Sequence, residues 1–114
     1  MTNISENLKK KLMSTIRVTK ATTVKSLKRQ FKEDFNCSLV IYRGNNQIVE
    51  DDAKILEIAK ENYSGGELEL GARSRVENVE HYFKQEFGIQ VQIKNADATL
   101  LAGNEMTLTQ AGNM

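Results

Sequence analysis

Apolar residues recur along this chain in two rhythms. Ile16 and Val18 alternate with polar neighbours, as do Leu68 and Leu70, which is the period of a strand with one buried face. Val24, Leu27, Phe31 and Phe35 recur at steps of three and four residues, and Val76, Val79, Phe83 and Phe87 do the same. That spacing draws one apolar stripe down an amphipathic helix. Thr22 or Thr23 can cap the first helix. Ser74 followed by Glu77 has capping-box spacing for the second, and Gly88 suits its C-terminal end. Residues 37–42 and 89–94 then return as strands, with Cys37, Leu39, Ile41 and Ile89, Val91, Ile93 facing the core.

These two sets are one pattern used twice. A shift of 52 residues lays residues 23–35 on 75–87, Ile16 and Val18 on Leu68 and Leu70, and Leu39 and Ile41 on Val91 and Ile93. Further on, the same shift lays Ile48-Val49 on Leu100-Leu101, and Leu56 and Ala59 on Leu108 and Ala111. The expectation is one α+β domain over 1–114 with pseudo-repeats 14–62 and 66–114. The order is β-α-β-β-α-β, both helices packing on one face of a single mixed sheet. A short helix over residues 51–62 follows the second strand, with Ile55, Leu56 and Ala59 turned inward. Half of this arrangement has nothing against which to bury its helix stripe, so the halves are expected to share one core.

Residues 24–71 resemble the later part of a ubiquitin-like β-grasp. A helix leads into Leu39-Val40-Ile41-Tyr42-Arg43-Gly44, followed by an acidic turn at Glu50-Asp51-Asp52, a helical turn at Leu56 and a last strand at Leu68–Leu70. The resemblance implies a fold for that stretch and no conjugation chemistry. The phrasing around Ile16-Arg17-Val18 and Thr23-Val24-Lys25-Ser26-Leu27 is similar to that of small bacterial α+β proteins, a likeness that carries no activity with it. The order of elements is also similar to an RNA-recognition motif. Such motifs stack bases on aromatics of the outer sheet face. Here the corresponding positions are Thr15, Arg17, Thr19, Glu67 and Glu69, which offer no ring.

Composition narrows the picture. Hydrophobic residues at 39% and charged residues at 27% suit a globular chain rather than a disordered one. A lone cysteine, Cys37, cannot form an internal disulfide. Neither a signal-peptide h-region nor a run of about 20 apolar residues is found, so a soluble, cytoplasmic protein without a membrane partner is expected. The net charge of +1 conceals a division: residues 1–43 sum to +7 and residues 44–114 to −6.

Catalytic constellations are wanting. Cys37 and His81 are single residues of their kinds. Cys37 falls on a core-facing position, and His81 falls on the outer face of its helix beside Glu77 and Glu80. Neither has partners at metal-ligand spacing. The acidic run Glu50-Asp51-Asp52 lacks the alternating ligands of a calcium loop, and Gly65-Gly66 lacks the Lys-Ser/Thr of a phosphate loop. No enzyme, metal or cofactor is expected.

Charge spacing supplies the positive lead. Lys25, Lys28, Arg29 and Lys32 stand at i, i+3, i+4 and i+7, on one exposed face of the first helix. Lys9-Lys10-Lys11 and Lys20 extend that field. The second helix carries Glu77, Glu80 and Glu86 instead, so docking of an acidic partner or self-association is one reading of the stripe. Nonspecific binding along a phosphate backbone is another, and a merely solvated helix face is a third. A second patch is Val40 and Tyr42 on the outer face of the return strand, beside Arg17, unless residues 4–13, through Leu8 and Leu12, cover it. The expected function is a non-enzymatic interaction module binding a protein through one of these surfaces, with nonspecific nucleic-acid binding as the alternative.

Overall fold

The computed structural model describes residues 13–43 and 47–114. In chain order the elements are β1 (Met13–Val18), α1 (Val24–Phe35), β2 (Ser38–Arg43), β3 (Gln47–Ile48), α2 (Ile55–Ile58), β4 (Gly66–Gly71), α3 (Val76–Tyr82), β5 (Gln90–Lys94) and α4 (Leu108–Gly112). Helix α3 runs on into a wider π-helical turn, Phe83–Phe87. Together α3 and that turn span residues 76–87, as long as α1. The fold is α+β, as the periodicities predict.

The sheet is not the single mixed sheet expected. β1 pairs with β4 in a two-stranded sheet, and β3-β2-β5 form a three-stranded one; every pairing is antiparallel. β1 and β2 thus each join the strand that corresponds to them in the other half, whereas β3 pairs within its own. In β1–β4 the partners Ile16 and Leu68 are 52 residues apart, and in β2–β5 so are Val40 and Gln92. The rings of Phe31 on α1 and Phe83 in the π-helical turn, again 52 apart, meet edge-on at 6.2 Å.

The main-chain hydrogen bonds repeat accordingly. Val24 N–H donates to Ala53 C=O and Val76 N–H to Met106 C=O, so the segment after each return strand caps the helix of its own half. Thr23 also caps α1 with its side chain, in a reciprocal box with Ser26. The second helix departs from expectation here. Its N-cap is Arg75, with no side-chain cap, because Ser74 Oγ accepts Gly71 N–H at 3.1 Å, as Thr22 Oγ1 accepts Thr19 N–H at 2.9 Å.

Past β5 the 52-residue correspondence slips by one. Val49 N–H donates to Ile41 C=O, and its equivalent is Ala102 N–H to Ile93 C=O, a 53-residue step. Val49 and Ala102 are buried, whereas Leu100 and Leu101 are more than half exposed. Likewise Leu108 takes the buried place of Ile55. The additional residue sits in the turn after β5, where buried Asn95 accepts the N–H groups of Thr99 and Leu100 and holds a wider loop. The helix expected over 51–62 shrinks to Ile55–Ile58, since Asp51 and Ala53 spend their carbonyls on α1 and Lys60 N–H turns to Phe87 C=O.

Both helix stripes and the inward faces of β2 and β5 enter one hydrophobic cluster, with Phe31, Phe83 and Phe87 among its largest fully buried side chains.

Candidate functional site

The basic stripe lines a groove. Lys25, Lys28, Arg29 and Lys32 rise from α1 on one side, and Ser38, Leu39 and Val40 of β2 form the other. Asp51 lies at one end and Ala96 and Ala98 at the other, enclosing about 490 Å³. The helix position of each cation follows from burial of Val24, Leu27, Phe31 and Phe35 on the opposite face.

The four cations are not equally committed. Lys28 Nζ pairs with Asp51 Oδ1 at 2.8 Å, and that hydrogen bond, with the charge behind it, holds the Asp51 carboxyl below its ordinary range. Lys32 Nζ donates to Ala96 C=O at 2.5 Å, and Ser38 Oγ donates to the same oxygen at 2.9 Å. Lys25 adds only a through-space attraction to Asp51. Among the described residues Arg29 has neither hydrogen bond nor ion pair. Lys25 and Arg29 are therefore the cations of the stripe without a side-chain hydrogen bond or ion pair among the described residues.

A second groove stands at the related place in the other half. It is lined by Glu80, His81, Lys84, Gln90, Val91 and Gln92. Each of these lies 52 residues after a residue of the first groove: Lys28, Arg29, Lys32, Ser38, Leu39 and Val40. Position in the fold is thus shared, whereas volume, about 310 Å³ against 490 Å³, and charge are not. Glu80 reaches across to accept Ile93 N–H at 3.3 Å, and partial burial raises its carboxyl above the ordinary value, the hydrogen bond opposing.

The other sequence-derived residues are placed apart. Arg17 lies on β1, in the other sheet from Val40 and Tyr42, with its Nε 2.9 Å from Glu67 Oε1. Tyr42 is half-buried and donates its hydroxyl to Gln92 Oε1 at 2.6 Å, whereas Val40 belongs to the basic groove. Residues 4–12, including Lys9-Lys10-Lys11, Leu8 and Leu12, lie outside the described residues. A broader hollow of about 630 Å³ joins exposed Met13 and Tyr82 with Glu69 and Arg73, without one sign of charge.

Cys37 is wholly buried, its thiol donating toward Leu108 C=O at 3.2 Å, and burial pushes its pKa up to about 11. A thiol so held stays protonated at neutral pH and is a poor nucleophile. Among the described residues no three His, Cys, Asp or Glu side chains stand close enough to hold a metal ion, and no helix is long and apolar enough to cross a membrane.

Sequence reasoning found the four cations but not Asp51, Ser38 or Ala96 as their surroundings. The equivalence of Lys28 and Glu80 was available from the 52-residue shift. Compared with family models, with curated proteins and with solved structures, the chain matches none.

Proposed function

We propose that this protein is a non-enzymatic interaction module that binds an acidic protein segment through the groove between α1 and β2. The observation that carries this reading is the contrast between two equivalent grooves. One presents Lys25 and Arg29 uncommitted; the other carries Glu80 at the matching wall. Complementary charge of this kind guides docking and selects partners. We also read the halves as copies of one ancestral unit, a reading supported by the repeated hydrogen bonds and the pairs centred 52 residues apart.

The same stripe carries the alternative of nonspecific nucleic-acid binding. One observation weighs toward the protein reading. Lys28 and Lys32 are already engaged, so few cations of the stripe are left to follow a phosphate chain. Binding along a phosphate backbone gains its strength from many such contacts.

Titration with a short polyglutamate peptide, an oligothymidylate and a DNA duplex across salt separates the readings. Salt-sensitive peptide binding is expected, weakened about tenfold or more when Lys25, Lys28, Arg29 and Lys32 are all reversed to Glu. Tighter binding of either nucleic acid would favour the alternative. No binding by any of the three at low salt would sink both.

A further inference from the structure

The residues of an antiparallel strand turn their N–H and C=O groups to the two sides alternately. Ile41 of β2 faces the β3 side, since its carbonyl accepts Val49 N–H at 3.0 Å. Leu39, two residues earlier, therefore faces the same side. The β3 ladder pairs Tyr42 and Arg43, and Val49 extends it to Ile41; among the described residues no strand pairs with the Ser38–Val40 edge on that side, and it is this stretch that lines the basic groove. Among the described residues, neither Leu39 nor Ile41 donates its N–H to a main-chain carbonyl on that side.

The other half shows what such an edge accepts. Ile93 is the equivalent of Ile41; its carbonyl likewise accepts a main-chain N–H, from Ala102 at 2.9 Å. Its own N–H is taken by the Glu80 carboxylate. In the first groove the residue at the Glu80 position is Lys28, which has no acceptor and is turned to Asp51. The second groove thus supplies its own carboxylate, whereas the first has a lysine at that place and is lined by the Ser38–Val40 edge and the cations of α1.

We infer that the first groove takes an acidic peptide in extended conformation, added as a strand along the Ser38–Val40 edge of β2. An acceptor of the peptide meets Leu39 N–H on the groove-lining edge, and alternate acidic side chains turn toward Lys25 and Arg29. Main-chain pairing then supplies affinity and the helix cations supply selection, the division of labour of strand addition generally. The inference rests on the acidic-partner reading above and adds to it the partner's conformation and register.

The test uses the whole isotope-labelled protein and a capped peptide of alternating Glu and Thr, about eight residues long. Two further forms of the peptide are N-methylated on one or the other alternate set of residues, and an oligothymidylate serves as the competing polyanion. The parent peptide is expected to slow amide exchange at Leu39 and Ile41. One methylated form should bind about tenfold or more weakly while the other binds as the parent does, and K25E/R29E should weaken the parent by a similar factor. If both methylated forms bind as the parent does and exchange at Leu39 and Ile41 is unchanged, strand addition is overturned while the acidic-partner reading stands. Oligothymidylate binding more tightly than the peptide overturns the choice of partner. If neither probe binds at low salt, about 20 mM, both readings fall.

Discussion

At the scale of single residues, the molecule holds polar groups whose surroundings set their behaviour. The hydroxyl of Tyr63 is buried with no hydrogen-bond partner among the described residues, while its ring leans on Phe87 at 5.5 Å. An unpaired buried hydroxyl costs free energy that its removal returns. Tyr63→Phe is therefore expected to leave stability unchanged or raise it by up to about 1 kcal/mol in urea denaturation. A clear loss would reveal a partner for that oxygen. Glu80 is the second case. Its carboxyl is raised by partial burial, so the folded state holds the proton more tightly than the unfolded chain does. The stability tied to this group is fully present below the ordinary carboxyl value and is lost as pH rises through the raised one. Glu80→Gln keeps an acceptor for Ile93 N–H and discards the charge. Wild type should lose stability relative to E80Q between pH 4 and pH 7, and parallel urea midpoints at the two pH values would contradict the assignment.

At the scale of elements, caps and turns decide where the halves agree. Thr23 and Thr107 each close a reciprocal box, with Ser26 and Gln110, whereas the N-terminus of α3 relies on carbonyls of the chain after β5. Thr23→Ala is expected to cost about 1 kcal/mol, read from the denaturation midpoint. Arg75→Ala, at the equivalent N-cap without a side-chain bond, should cost less than half of that. Equal costs would mean that the Thr23 box contributes nothing. The helix stripes and inward strand faces were legible in the sequence because burial imposes periods of 3.6 and 2 on apolar residues. The pairing of strands was not legible, because periodicity tells which face of Ile16 or Leu39 is buried and says nothing of which strand lies alongside. The one-residue slip past β5 was hidden for a related reason. Leu100 and Leu101 match the apolar pattern of Ile48 and Val49, and only the Asn95 loop makes Ala102 the buried residue.

At the scale of the molecule, Phe31 and Phe83 join the two halves. Both are wholly buried and each is the other's equivalent, so Phe31→Ala and Phe83→Ala should cost similar amounts, about 3–5 kcal/mol each. A cost below about 1 kcal/mol for either would mean that the halves do not depend on this contact. Around that shared core the halves part company in charge. The four cations of the candidate site were visible at helical spacing; the open edge of β2 and the carboxylate of Glu80 became meaningful only once the grooves could be compared. The central claim is that charge at equivalent positions determines which side binds the acidic partner. Isothermal titration of the acidic peptide into E77K/E80K/H81R, which gives the second groove the first groove's charges and uncovers Ile93 N–H, tests this most directly. The account predicts two peptides bound per chain where wild type binds one. A stoichiometry that stays at one in the folded variant would contradict it.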